Sequence, residues 1–374
     1  MAHRYFHLPA LLALLLPALL CAQKETPRNI ILLIGDGMGT AQLSAHVLQQ
    51  KDSRFHEFPV AGFSMTQSAN AFVTESAAGA TALATGRRTV NGHLSLSHIN
   101  EPLTTLLEAA RAYAGKATGV VATSSITHAT PAAFLAHVDS RKKEFEIAEQ
   151  IASSGVDVAI GGGRRFFLPA PEGARTDGTD LLAAMRARGY DVRTELHDGE
   201  ANARTTEAAT GAAAGSAARR SIILMADEGL PKAGERSYSL GDMIRVALAA
   251  LVQDSDGFVL MVEGSQIDWA AHANDLPQLH CEMADFETAL AAALDFAARD
   301  RHTLVVVTAD HETGGLSLTG KTPDGSDMNA HWAGDDHTGA MVPLFAFGPG
   351  STRFGGIHRN EEIGKRLMEL IQGR

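Results

Sequence analysis

The sequence predicts an α/β fold, a three-layer α/β/α sandwich around a large, mostly parallel central sheet. Three observations carry this expectation. Residues 29–34, 258–262 and 303–308 (NIILLI, FVLMV, TLVVVT) are short runs, apolar at nearly every position. A strand apolar on both parities suits burial on both faces, as parallel sheets demand. Each run ends in a carboxylate, Asp36, Glu263 or Asp310, and open α/β sheets put ligand sites at the carboxyl edge of their strands. Helix-length segments alternate with the strands, which places helices on both faces of the sheet.

The chain has 374 residues, 45% hydrophobic and 20% charged, an ordinary balance for a globular enzyme. Residues 1–22 read as a secretory signal peptide: Arg4 supplies the charge, Leu8 to Leu20 the apolar core, and Cys21-Ala22 a small-residue cleavage site. That core is too short for a membrane span. Leu20 is bulkier than a lipidation site at Cys21 accepts, so periplasmic or secreted residence without an anchor is expected. Residues 23–374 then form a single domain with a variable insertion at about 170–220. Without Cys21 the remaining cysteine is Cys281, and no intrachain disulfide can form. The core, with bound metals, must hold the fold. The formal charge of −11 becomes −12 once Arg4 leaves, which disfavours nucleic-acid backbones as partners.

After a polar linker (23–28), the first strand runs into Gly35-Asp36-Gly37-Met38-Gly39. The glycines allow a tight turn, but the spacing is not that of a dinucleotide fingerprint. In FVTESAAGATALATGRRTVN (72–91), Ser76 precedes a helix of very small residues, 77–85. A serine there reads as an N-cap, or as a nucleophile at the positive helix end, where backbone N–H groups favour an anion. No G-x-S-x-G elbow surrounds it, so a nucleophilic role would need a metal to lower its pKa.

A helix over 103–113 and a strand over 116–122 lead to TSSITHATPAAFLAHVDSRK, which holds His128, Thr130 and Arg141. Pro131 directs Thr130 to an extended conformation. A helix (142–153) and a strand (156–160) follow. From 170 to 220 the periodic signal fades, and 199–219 is Ala/Gly/Thr-rich. Order resumes at 221–225 and in a helix over 240–252. Beyond the run 258–262, Asp268 and His272 stand four apart, so one helical turn puts both on one face. An oxygen and a nitrogen donor so placed suit zinc or a similar ion. Asp275 and Pro277 start a long helix to about 299, with Phe286, Leu290 and Leu294 inward. The strand 303–308 meets Asp310-His311, and His337 follows before a last strand, 342–347.

Asp36, Glu263 and Asp310-His311 thus close three strands at one sheet edge, with Asp268, His272 and His337 near. Mixed carboxylate and imidazole donors in that number point to a site for two or three divalent metals. The stretches IGDGMG (34–39), TESAAGATALATG (74–86), HATPAA (128–133), VEGSQID (262–268), TADHETGG (308–315) and HTG (337–339) resemble the bacterial alkaline phosphatase family. The resemblance runs from about 29 to 348 and fails mainly at 170–220.

The resemblance implies a metal-dependent phosphomonoesterase that releases inorganic phosphate through a phosphoserine on Ser76. It implies two Zn2+, one held by Asp268, His272 and His337 and one by Asp36, Asp310 and His311. It implies one Mg2+ held by Glu263, Thr130 and a bridging Asp36, with Zn2+ or Co2+ also able to occupy that third site. Arg141 matches the arginine that grips phosphate in a bidentate fork. Small-molecule monoesters as substrates and a homodimer are implied as well. Three departures stand out: Glu75 replaces the usual Asp, His128 and Trp269 border the third site where some members carry Asp and Lys, and no large insertion separates 319 from His337. A diesterase, sulfatase or mutase on the same scaffold is the competing enzyme class. The sulfatase pattern C/S-x-P-x-R is absent around Ser76, and a phosphate- or metal-binding protein would need no serine aligned with a metal.

Overall fold

The structure, a computed structural model, describes residues 26–196, 220–321 and 328–373. The segment read as a signal peptide, with Cys21, and the tract 199–219 lie outside these residues. Strands β1 (Asn29–Gly35), β2 (Val60–Met65), β3 (Ala117–Ser125), β4 (Val158–Gly162), β5 (Asp191–Arg193), β6 (Ser221–Leu224), β7 (Phe258–Gly264) and β8 (Thr303–Thr308) come first in the chain. Four short pieces follow: β9 (Glu312–Thr313), β10 (Ser317–Lys321), β11 (Met328–His331) and β12 (His337–Thr338). β13 (Val342–Phe347) and β14 (Gly356–Arg359) complete the set. The main sheet has ten strands in the order β14-β2-β13-β8-β1-β7-β3-β4-β6-β5. All its pairings are parallel except those of β13 with β2 and β8.

The apolar runs behave as double-sided strands. Ile30, Leu32 and Ile34 enter one core cluster, with Ala77, Leu83, Leu107, Ile147 and Leu367 from helices on that face. Ile31 and Leu33 enter the other, with Ala45, Met243, Ile244, Leu279 and Phe286. Alternate residues of one strand therefore feed two cores, and the three-layer sandwich holds as expected. Register then fixes the site. Ile34 pairs with Glu263 on one side and Thr308 on the other, and Ala122 also pairs with Glu263. Asp36 and Asp310, each two residues further on, stand just beyond Glu263 at the carboxyl edge.

Several elements go beyond the sequence reading or correct it. The expected last strand, 342–347, is followed by β14 and by the helix Asn360–Ile371, which buries Ile363, Leu367 and Leu370. β2 escaped notice because VAGFSM has no unbroken apolar run, and its exposure alternates on the sheet's edge side. Within 170–196 a helix, Leu181–Ala187, buries Leu181, Leu182 and Met185, and β5 forms one sheet edge. Thr130 is not extended: it lies in the helical turn Ala129–Ala132, and His128 takes the extended conformation. A first-turn proline gives up only an N–H that has no intrahelical partner, so Pro131 is tolerated there. Among the described residues no helix is long and apolar enough to cross a membrane, and the free Cys281 is exposed.

Candidate active site

The site forms where β1, β7 and β8 end, opposite the start of the helix Ser76–Thr85. Ser76 is the first residue of that helix rather than its cap. Glu75 is the cap, and its carboxylate accepts from Ala77 N at 3.0 Å and Ala78 N at 2.9 Å. The anion that satisfies this helix end is thus the protein's own, which frees Ser76 to point into the site. Its Oγ lies 3.3 Å from His311 Nε2. The small residues let the helix approach β8 closely: a Cβ on Gly79 would sit 2.8 Å from the Asp310 carbonyl oxygen.

The metal-type donors gather in three overlapping trios, each with ligand atoms within 4.8 Å of one another: Asp268, His272 and His337; Asp36, Asp268 and His311; and Asp36, His128 and Glu263. In the first, His272 Nε2 is 3.3 Å from Asp268 Oδ2 and 3.1 Å from His337 Nε2. Asp268 and His272 share the short helix Gln266–His272, as their spacing required. In the second, His311 Nε2 is 3.3 Å from both Asp36 and Asp310. In the third, the Thr130 hydroxyl donates to Asp36 Oδ2 at 3.4 Å. Arg141 spans the mouth, donating to Glu75 at 2.7 Å and to His128 Nε2 at 3.1 Å. Trp269 meets His128 edge-on at 6.0 Å.

The electrostatics are those of a site short of positive charge. Burial, reinforced by Asp310, Asp268 and Glu263, raises Asp36 well above the usual carboxylate range. Burial likewise pushes Glu263 up to about 7. Burial alone would raise Asp268 too, but the His272 hydrogen bond and the imidazole charges outweigh it and hold it low. Asp268 in turn lifts His272 to about 9. Burial, then Arg141, lowers His128 to about 4, so it stands as a neutral acceptor for Arg141. Asp36 Oδ1, Glu263 Oε1 and Asp310 Oδ2 are buried without a hydrogen-bond partner. Orphaned buried acceptors facing one space are costly unless a cation takes them. The residues therefore fit divalent metals, which would also return the crowded carboxyls to their ionised form.

Every residue singled out from the sequence thus reaches this one place. Sequence reasoning missed the layer behind it. Thr313 Oγ1 donates to Asp268 Oδ1 at 2.5 Å and lies 3.2 Å from His311 Nδ1. Ser124 donates to Glu263 at 3.2 Å. The Thr74 carbonyl lies 3.1 Å from His337 Nδ1. Thr313 stands two residues after His311, so the period of a strand was its one available signal.

A family model for alkaline phosphatase matches residues 27–331. Alkaline phosphatase 3 of Bacillus subtilis is 33% identical over 92% of this chain and 89% of its own length. Streptomycin-6-phosphate phosphatase of Streptomyces griseus is 34% identical over 90% of this chain and 88% of its own. The solved alkaline phosphatase of the Antarctic bacterium TAB5 superposes with a TM-score of 0.83 at 36% identity, covering 93% of this chain and 98% of that one. A histidine-to-aspartate mutant of the TAB5 enzyme holds Mg in its M3 site. Matched by the family model over most of its length and about a third identical to relatives it covers almost entirely, the chain belongs to the alkaline phosphatase family of phosphoric monoester hydrolases.

Proposed function

We propose that this chain hydrolyses small-molecule phosphate monoesters to an alcohol and inorganic phosphate through a phosphoserine on Ser76. The observation that carries the reading is Ser76 Oγ at 3.3 Å from His311 Nε2, which itself lies 3.3 Å from buried oxygens of Asp36 and Asp310 that accept no hydrogen bond. Asp268, His272 and His337 would hold one Zn2+; Asp36, Asp310 and His311 a second; Asp36, Thr130 and Glu263, with His128 alongside, a third ion, Mg2+, Zn2+ or Co2+. Such ions supply Lewis-acid charge, neutralising phosphoryl oxygens and lowering the pKa of a hydroxyl.

The chain's own residues do the rest. Arg141 offers a planar fork to two phosphate oxygens, and Glu75 and His128 hold that fork ready on either side. Because Glu75 already caps the helix, phosphate binding falls to Arg141 and the cations rather than to backbone N–H groups. Ser76 Oγ forms a bond to phosphorus as the ester P–O bond breaks and the leaving alkoxide takes a proton. Water then cleaves the phosphoserine, giving phosphate and restoring the hydroxyl. Nothing in this sequence needs contact with the alcohol, so a broad substrate range follows.

Export follows from the Leu-rich segment before residue 23. A homodimer is supported by Phe63 and Ile357, 43% and 59% exposed and paired in register at the sheet edge. The test of function is steady-state hydrolysis of p-nitrophenyl phosphate against bis(p-nitrophenyl) phosphate, with and without added zinc and magnesium. Preference for the monoester supports the reading. Turnover of the diester alone, or stoichiometric binding without turnover, removes it.

A further inference from the structure

Glu312 follows His311 directly, is 3% exposed and belongs to none of the three donor trios. Its carboxylate is nonetheless saturated. Oε1 accepts from Gln42 Nε2 at 2.7 Å, Gly315 N at 3.0 Å and Leu316 N at 3.4 Å. Oε2 accepts from the Thr338 hydroxyl. Gln42 Nε2 also donates to the Thr313 carbonyl at 2.6 Å. One side chain thereby ties three segments: the helix Thr40–Gln49 that follows Asp36, the turn beyond Asp310-His311, and β12, which carries His337. Space for it is reserved, since a Cβ on Gly39 would fall 2.1 Å from Glu312 Cγ.

β12 needs such an anchor. Among the described residues its ladder is with β9 alone, through His337 with Thr313 and Thr338 with Glu312; Gly314 N donates to the Asp336 carbonyl at 2.9 Å on its leading side, whereas Gly339 to Met341, which follow it, are exposed. Two residues of ladder hold a strand weakly. A buried acceptor bonded by a hydroxyl adds a directional tie from the core to the residue beside His337.

We propose that Glu312 is a positioning residue: through Thr338 it fixes β12 so that His337 Nε2 faces Asp268 and His272. This rests on the reading of Asp268, His272 and His337 as a zinc-holding trio. The His337 ring is already set in rotation by the Thr74 carbonyl at its Nδ1; Glu312 sets where the ring's backbone stands. Outer partners of this kind are worth about 10–100-fold in metal affinity.

The test is zinc affinity of the full chain, titrated in competition with a chromophoric chelator. Wild type is compared with Thr338→Val, Thr338→Ala, Thr338→Ser and Gly39→Ala. Thr338→Val and Thr338→Ala should weaken one zinc by about 10–100-fold and leave another as in wild type. Thr338→Ser, which keeps the hydroxyl, should restore it. Gly39→Ala, which displaces Glu312 from the other side, should repeat the loss. Wild-type zinc affinity in Thr338→Val or Thr338→Ala overturns the proposal, whatever their melting temperatures. A wild-type chain that takes up no zinc overturns the metal reading itself, a separate result visible in the first arm.

Discussion

The imidazole rings of His311 and His337 stack face to face, with centroids 3.6 Å apart and planes 19° from parallel. Each turns Nε2 to a different carboxylate, His311 to Asp36 and Asp310 at 3.3 Å, His337 to Asp268 at 3.7 Å. Two rings so close cannot both be protonated cheaply; burial and the His311 charge lower His337 accordingly. Neutral imidazoles are what metals require, so the stack sets two donor trios side by side.

Metal removal is the first prediction. Chelation should abolish activity and lower the melting temperature, because on the proposed reading cations would hold together carboxyls that otherwise repel. Zinc with magnesium should restore both. A verifiably metal-free sample with full activity and unchanged melting would sink the site assignment.

Ser76→Ala should lose several orders of magnitude in kcat. Acid quench of wild type with labelled phosphate should leave label on Ser76. Label on another residue, or near-normal turnover in the variant, would falsify the nucleophile.

His128 and Trp269 are expected to tune the third site. His128→Asp replaces a neutral acceptor by a charge, and a hard oxygen donor favours magnesium, so magnesium activation should increase. Trp269→Lys adds a cation near phosphate; it should lower both kcat and the phosphate inhibition constant, as tighter product binding does where release limits turnover. Trp269 also packs on the loop at Gly229, where a Cβ would meet the ring at 2.6 Å. Unchanged inhibition with only a lower melting temperature would leave packing as its whole role.

A pH effect should appear away from the site, at the His137–Glu108 pair (2.9 Å). Burial works against charge on His137, but the Glu108 carboxylate and the Ser95 carbonyl outweigh it and raise its pKa. Burial opposes ionisation of Glu108 too, yet His137 and the Thr105 N–H hold it low. The raised histidine contributes stability fully below about pH 6.5 and loses it as pH rises through its folded pKa. The depressed carboxylate contributes above about pH 4.3 and loses it as pH falls through its own. The melting-temperature gap between wild type and His137→Asn should therefore be widest from about pH 5 to 6 and narrow towards pH 9. A gap constant over that range would remove the ionic account.

The sequence by itself determined the architecture and singled out the candidate donors that the fold then gathers. Runs such as NIILLI and FVLMV have no polar parity and are only five or six residues long, so they read as strands covered on both faces, and a carboxylate closing such a strand surfaces at its carboxyl edge. The four-residue spacing of Asp268 and His272 fixed a shared helix face in the same way. These are local rules, acting over a few residues. Tertiary structure decided what depends on distant segments meeting. It brought His337 to His272, made Glu75 rather than Ser76 the helix cap, and set Thr313 and Glu312 behind the candidate ligands. It also added β2 and β14 at the sheet's edge, where half-exposed strands need no unbroken apolar run. Hydrogen bonds between residues far apart in the chain leave no periodicity to read; only the packing of the finished sheet selects them.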